Sequence, residues 1–122
     1  MQTISLPHNH GQTIEQELKN MPSLENFQVV ADIFKQLSDG NRIRIFWLLC
    51  HCEECVINLS AMVNMSSPAV SHHLKQLKSA GLIVNRREGK EVYYTASSTK
   101  QSRLLHQMIE QMVEIACPSD GT

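Results

Sequence analysis

Apolar residues recur at the spacing of an α-helix in several segments, which predicts a mainly helical protein. Helices are predicted over residues 14–20, from the cap Ser23 to about residue 37, and over 42–50, 55–63 and 99–116. Residues 38–41, with the sequence Ser-Asp-Gly-Asn, are predicted to form a turn. Helix 42–50 is apolar almost all round, and we therefore expect it in the centre of the core.

The segment 65–96 has the most informative pattern. Ser66 or Ser67 can cap a helix whose first turn accommodates Pro68, and Gly81 predicts its end. Apolar residues at helical spacing define the buried side of this helix: Val70, Leu74 and Leu77. The opposite side has hydrogen-bonding groups and no acid, which suits base edges and phosphates: Ser71, His72, Lys75, Gln76 and Ser79.

A basic β-hairpin is predicted directly after this helix. Residues 82–84 and 92–94 are rich in strand-forming side chains, and Glu88-Gly89 is predicted as the tight turn. Arg86, Arg87 and Lys90 flank the turn; they can form an ordinary solvated edge, but after such a helix they favour a wing that grips phosphates. The predicted fold is a winged helix-turn-helix, mainly α with a β-hairpin wing. Its predicted DNA contacts are Ser66, Ser67, Ser71, His72, Lys75, Gln76, Arg86, Arg87 and Lys90.

Charge supports this interpretation only locally. The 122 residues carry a net charge of −1, which alone argues against a nucleic-acid-binding protein. Residues 66–100, however, contain six basic and two acidic residues, and the remainder carries −5. Positive potential is therefore concentrated on one module. The chain lacks a membrane-length apolar run and a signal-peptide pattern, which predicts a cytoplasmic protein.

The domain organisation follows from these elements. Residues 1–22 are predicted to form a flexible arm with a short helix, residues 23–117 the winged domain, and residues 118–122 a tail. The last helix has an apolar stripe that so small a domain can cover only partly: Leu105, Met108, Ile109, Met112 and Ile115. This stripe can pack on its own core, but it favours a homodimer, whose two recognition helices would enter successive major grooves.

A cluster of thiols is the main candidate for ligand chemistry. Cys50, Cys52 and Cys55 lie within six residues and suit a thiophilic ion of the Zn(II), Cd(II), As(III) or Cu(I) class, with Zn(II) or Cd(II) favoured. His8 and His10 on the arm can complete the coordination shell. Cys50 also continues the core stripe of its helix, and a buried cysteine is often just a small apolar residue.

Several motifs occur in the order found in a known family. Residues 37–45 (LSDGNRIRI) resemble its L-S/A-D-x-x-R-L-x-I opening, and residues 55–59 (CVINL) its C-V-x-D-L element. Residues 67–74 (SPAVSHHL) resemble its recognition helix S-x-x-x-V-S-x-H-L with one residue fewer before the valine, and residues 89–94 (GKEVYY) resemble its wing. From residue 24 to 116 the chain resembles the ArsR/SmtB family of bacterial winged-helix metalloregulatory repressors.

The resemblance implies a homodimeric repressor that binds a palindromic operator and is released by an effector. One family metal site uses the first cysteine of the C-V-x-D-L element with ligands from the arm; Cys55 matches that cysteine, whereas Ile57 and Asn58 replace other ligands. The second family site lies on the last helix. Its positions are occupied here by Ser98, Lys100, Gln111 and Glu114, so the resemblance implies that this second site is absent.

Other functions remain open at this stage. Cys117 can be an inert thiol, or it can pair with a cysteine of the central helices in a thiol-redox or persulfide switch. His106, Glu110 and Glu114 share one side of the last helix, where a solvated face is favoured over a metal site. A winged-helix protein-interaction module with structural zinc is another alternative. An enzyme is not expected, because no nucleophile motif or positioned acid–base pair is apparent.

Overall fold

The computed structural model describes residues 5–118, in two units, of which the first ends at Ala31 and the second begins at Asp32. The first residues of the predicted arm and residues 119–122 of the predicted tail lie outside the described part. The elements are α1 (Glu15–Asn20), α2 (Leu24–Gln36), α3 (Gly40–Leu49), α4 (Val56–Val63), α5 (Ser67–Ser79), β1 (Ile83–Glu88), β2 (Glu91–Ala96) and α6 (Lys100–Ala116). The mainly helical fold with one β-hairpin is therefore confirmed.

Helix α3 begins two residues earlier than predicted. Asp39 is its N-cap, and the carboxylate accepts a hydrogen bond of 3.0 Å from the backbone N–H of Arg42. This bond holds the pKa of Asp39 below its ordinary value. Gly40 and Asn41 are consequently the first residues of the helix rather than the end of a turn, because a capping aspartate outweighs their poor helix propensity.

The bounds of α5 follow the predicted signals. Of the two candidate caps, Ser66 is the one used, since its hydroxyl accepts from the backbone N–H of Ala69 at 3.3 Å. At the other end Gly81 has a φ of 76°, and the backbone N–H groups of Gly81 and Leu82 donate back into the last turn of α5. This is a Schellman motif, in which glycine takes the left-handed conformation without steric cost.

The wing is longer than predicted, and its turn lies one residue further along the chain. Strands β1 and β2 are antiparallel, with Ile83 opposite Ala96 at one end and Glu88 opposite Glu91 at the other. The turn residues are therefore Gly89 and Lys90, not Glu88 and Gly89. Gly89 has a φ of 63°, as expected for the first central position of a type II′ turn.

One hydrophobic core joins α3, α4, α5, the wing and α6. Its buried members are Ile45, Phe46, Leu49, Leu59, Val63, Val70, Leu74, Leu77, Leu82, Ile83 and Leu105. Helix α3 supplies three of them, which confirms its central place, although not all of its apolar side chains are buried. Trp47 is 37% exposed and Arg44 is exposed, so α3 has one face outside the core of this single chain.

Helix α6 closes the domain and leaves part of its apolar stripe uncovered. Thr99 caps it by accepting from the backbone N–H of Ser102. Leu105 is buried, whereas Met112 is 56% and Ile115 is 76% exposed. Across residues 5–118, no helix combines the length and the apolar character needed to cross a bilayer.

Candidate nucleic-acid interface and metal ligands

Helices α4 and α5 form a helix-turn-helix whose turn depends on Asn64. Asn64 follows the last residue of α4 with a φ of 55° and a ψ of 50°, in the left-handed region. Asparagine tolerates this conformation better than most residues do. The turn then passes through Met65, which packs on the core, to the cap Ser66.

The two sides of α5 differ as the sequence predicted. Val70, Leu74 and Leu77 are buried. On the opposite side Ser71, His72 and Lys75 are exposed, while Gln76 is half-buried. Since α5 contains no acidic residue, this side offers donors to a polyanion without repulsion.

Two of the predicted contact residues already have hydrogen bonds within the chain. The Ser66 hydroxyl caps α5, and the Ser67 hydroxyl lies 3.1 Å from the hydroxyl of Ser60 on α4. Both residues are exposed at the start of α5. Pro68 has no N–H and that of Ala69 donates to the Ser66 hydroxyl, so the first turn of α5 leaves the backbone N–H of Ser67 for a phosphate.

His73 is a site residue that the sequence analysis did not identify. It is 8% exposed, and its Nδ1 accepts a 3.1 Å hydrogen bond from Nε of Arg42 on α3. Burial lowers the pKa of His73, although Asp39, 3.9 Å from its Nε2, acts in the opposite direction. This hydrogen bond joins α3 to α5 and thereby fixes the orientation of α5 relative to α3. The separation of Arg42 and His73 by 31 residues left no local sequence signal.

The three cations of the wing have different environments. Arg86 donates hydrogen bonds of 2.9 and 2.7 Å to the two carboxylate oxygens of Glu53, and another of 2.7 Å to Glu88. These bonds raise the pKa of Arg86 and lower that of Glu53. Arg87 and Lys90 are exposed and, within residues 5–118, have no ion-pair partner.

The three clustered cysteines lie on one short connection between α3 and α4, referred to here as the cysteine segment (residues 50–55). Cys50 follows the last residue of α3, and Cys55 is the N-cap residue of α4, without a side-chain capping bond. Burial, with Glu110 nearby, raises the pKa of the Cys50 thiol to about 11. Burial and Glu54 also raise the pKa of Cys52, whose thiol donates to the Leu48 carbonyl at 3.2 Å.

The cysteine segment is attached to the wing by backbone and side chains. Glu54 and Tyr94 exchange two backbone hydrogen bonds, of 3.0 and 2.8 Å, so that Glu54 pairs with the outer edge of β2. The Thr95 hydroxyl lies 3.2 Å from the carbonyls of both Leu49 and Cys52. With the Glu53–Arg86 pair, these contacts connect the predicted ligands directly to the predicted DNA-binding hairpin.

The predicted metal ligands are divided between the two units. Among the described residues of the second unit, the thiols of Cys50, Cys52 and Cys55 do not come together as a group of potential ligands. The rings of His8 and His10 stack on each other at 5.9 Å in the first unit. One other group of three does form, from His51, His106 and Glu110. The sequence indicated the last two by their spacing, but His51 had no such signal.

Cys117 lies far from the cysteine segment. It is exposed at the end of α6, and eleven residues of helix, about 16 Å, separate it from His106. His106 and Cys50 line the same small cavity. The redox alternative, in which Cys117 approaches a cysteine of the central helices, therefore finds no support in this arrangement.

Known proteins share both the sequence pattern and the fold. Residues 39–84 match the family of bacterial regulatory proteins described as the arsR family. A transcriptional repressor SmtB homolog of Synechocystis is 32% identical over 108 residues, covering 88% of this chain and 82% of that protein. The cadmium resistance transcriptional regulatory protein CadC homolog of Staphylococcus aureus is 34% identical, covering 75% of this chain and 77% of that protein.

A solved structure supports the same conclusion for the fold. The homodimeric winged helix-turn-helix DNA-binding domain Mb0332 of Mycobacterium bovis superposes with a TM-score of 0.67 at 24% identity, covering 93% of this chain and 98% of that one. The winged helix-turn-helix predicted from the sequence is thus confirmed. The relatives are transcriptional regulators and not enzymes. The chain belongs to the ArsR/SmtB family of bacterial transcriptional regulators.

Proposed function

We propose that the protein is a homodimeric repressor that binds a palindromic operator in the cytoplasm and leaves it when a thiophilic metal ion binds. The observation that carries this proposal is the exposed, acid-free side of α5 beside a wing with two cations, Arg87 and Lys90, that have no ion-pair partner among residues 5–118. The side chains of Ser71, His72, Lys75 and Gln76 would contact base edges and nearby phosphates. Arg87 and Lys90 would contact the phosphate backbone.

The uncovered apolar surface supports a dimer. On α6 the side chains of Leu104, Met112, Val113 and Ile115 are each more than half exposed. Apolar residues of α2 are also uncovered, among them Leu24 and Val29. A second copy would bury these faces and, by two-fold symmetry, place two α5 helices about 34 Å apart for successive major grooves.

The chemistry of the cysteine segment supports a metal effector. We propose Cys52 and Cys55 as thiolate ligands, with Zn(II) or Cd(II) as the ion; a relative's name refers to cadmium resistance. The remaining ligands would come from His8 and His10 of the arm, or from a second copy of the chain. Cys50 is the weaker candidate, because it packs against the core and its thiol pKa is raised to about 11.

The contacts of the cysteine segment suggest how binding would affect DNA. Deprotonation and ligation of Cys52 would break its hydrogen bond to the Leu48 carbonyl and shift a segment that holds the wing through Glu53, Glu54 and Thr95. An ion changes DNA affinity only by its different affinity for the two conformations, typically about 1–3 kcal/mol of coupling.

The substitution Cys55→Ser tests the effector assignment. DNA binding, measured by fluorescence anisotropy on the fragment upstream of the protein's own gene, should remain, while release by Cd(II) or Zn(II) should be reduced. Cys117→Ser is the matched control, because it removes an exposed thiol at the C-terminal end of α6, outside the cysteine segment, and it should respond as the unmodified protein does. Normal metal release from the Cys55→Ser protein would contradict the assignment.

A further inference from the structure

Three side chains that can bind a metal ion, none of them a cysteine, lie close together. Nε2 of His106 lies 3.1 Å from Nε2 of His51 and 2.8 Å from Oε1 of Glu110. The third side of this triangle, from Nε2 of His51 to the same carboxylate oxygen, is 3.6 Å. We propose that His51, His106 and Glu110 form a binding site for a divalent transition-metal ion of the Zn(II), Co(II) or Ni(II) class.

The size of the triangle fits an ion. Zinc bonds of about 2.0–2.1 Å in tetrahedral geometry place neighbouring ligand atoms about 3.3 Å apart. The three separations, 2.8, 3.1 and 3.6 Å, lie on both sides of that value, so only small side-chain adjustments are needed. Two imidazoles and one carboxylate favour a borderline ion over the soft ions that thiolates select.

Protons cannot satisfy this arrangement as well as a cation can. With neutral rings, a proton on Nε2 of His106 can serve its two neighbours, but the lone pair of His51 then faces the carboxylate oxygen of Glu110. If His51 donates to His106 instead, the lone pair of His106 faces that oxygen at 2.8 Å. A metal ion accepts all three lone pairs at once.

Two packed elements hold the ligands in place. His106 and Glu110 are one turn apart on α6, where they face the same side. His51 is the second residue after α3, and the centre of its ring lies 4.3 Å from that of Trp47 and 4.8 Å from that of His106. The ligand set leaves the fourth coordination position open, as in many zinc sites with three protein ligands.

The proposed metal site is also connected to the wing through the cysteine segment. His51 belongs to the cysteine segment, in which Glu53 binds Arg86 and Glu54 pairs with Tyr94. An ion would fix this segment to α6 and thereby restrict the hairpin. This consequence for DNA rests on the proposed repressor function, whereas binding of the ion itself does not.

Titration with Co(II) tests the site. The full chain carrying Cys52→Ser and Cys55→Ser should bind one Co(II) with visible d–d absorption, and Zn(II) should displace it. Glu110→Gln and His106→Gln in that background should each weaken binding by roughly 100-fold or more. Glu114→Gln is the matched control, because it makes the same change one turn further along α6, outside the triangle, and binding should be unchanged.

Three results would overturn the proposal: no Co(II) binding by the background protein, binding that Glu110→Gln and His106→Gln leave intact, or an equal loss in Glu114→Gln. Circular dichroism confirms that each variant is folded, and the exposed Glu110 gives a test even if His106→Gln is destabilised. Because the background protein lacks the thiolates of the repressor proposal, failure here leaves that proposal standing. Failure of the thiolate site likewise does not affect this one.

Discussion

Arg86 of the wing and Glu53 of the cysteine segment form a bidentate ion pair, with N–O distances of 2.9 and 2.7 Å. The guanidinium also lies 5.0 Å from the centre of the Tyr93 ring. A cation that the sequence assigned to DNA is therefore bound to the segment proposed to sense metal. This contact gives Arg86 a different expected role from that of Arg87, its neighbour in β1.

The wing cations should differ when substituted. Arg87→Ala should weaken binding to all DNA sequences and reduce the slope of log affinity against log salt by about 1, because one phosphate contact is lost. Arg86→Ala should change the slope less, since that guanidinium is already paired with Glu53 and Glu88. Anisotropy titrations on specific and random duplexes over a salt series measure both slopes. A larger loss for Arg86→Ala would contradict this difference.

The Glu53–Arg86 ion pair should affect the metal-induced release of the protein from its operator more than it affects operator binding itself. In Glu53→Gln the wing loses its charged link to the cysteine segment, so we expect operator affinity to persist and metal-induced release to weaken. Glu91→Gln is the control, because Glu91 is exposed at the tip of the wing and lacks an ion pair within the described residues. The ratio of operator affinities with and without Cd(II) is the quantity to compare. Equal ratios in all three proteins would refute the link.

Substitutions on the exposed side of α5 should affect DNA binding differently from substitutions in the wing. His72→Ala or Gln76→Ala should alter the preference among operator variants, because these side chains would face base edges. Each good base contact is worth about 1–3 kcal/mol of discrimination. Competition with single-base operator variants measures this effect. If both substitutions weakened all duplexes equally, they would belong with the phosphate contacts instead.

The turn between α4 and α5 should tolerate glycine but not a β-branched residue. Asn64 has a φ of 55°, so Asn64→Val should destabilise the fold by roughly 1–2 kcal/mol. Asn64→Gly should be close to neutral, because glycine adopts this conformation without a steric penalty. Urea unfolding of the three proteins gives the free energies of unfolding. Equal stabilities of the valine and glycine variants would show that the turn is not strained.

Stability should fall when the solution becomes mildly acidic. Burial lowers the pKa of His73 below its ordinary value of 6.5, so below about pH 6.5 the unfolded chain binds a proton that the folded chain resists. The groups around it are Asp39, Arg42 and His72. Unfolding free energies between pH 7 and 5 should therefore decline, and less steeply in His73→Gln. Asp39 acts in a lower window, because its pKa lies below 3.8.

The elements whose bounds depend on local signals could be predicted from the sequence. A serine cap at Ser66 or Ser67, the stop at Gly81 and the strand-forming residues around Tyr93 were sufficient to predict α5 and a hairpin after it. The errors also have local causes. The start of α3 was misplaced because the capping role of Asp39 was not weighed against Gly40 and Asn41.

Long-range pairings could not be predicted in this way. The contacts of Arg42 with His73, of Arg86 with Glu53 and of His51 with His106 join residues 31 to 55 positions apart. No periodicity connects such partners, since they meet only after the core has packed. The ligand role of Cys52 and Cys55 stays a prediction for the same reason, because their missing partners would come from a distant segment or from another chain.

The central claim is that two copies of this chain bind one duplex through α5 and the wing. Analytical ultracentrifugation with a fluorescent fragment from upstream of its own gene, over a salt series, tests it most directly. The account predicts a dimer on each duplex, an affinity that falls steeply with salt, and dissociation when Cd(II) or Zn(II) is added. A monomer that does not bind the fragment at low ionic strength would contradict it.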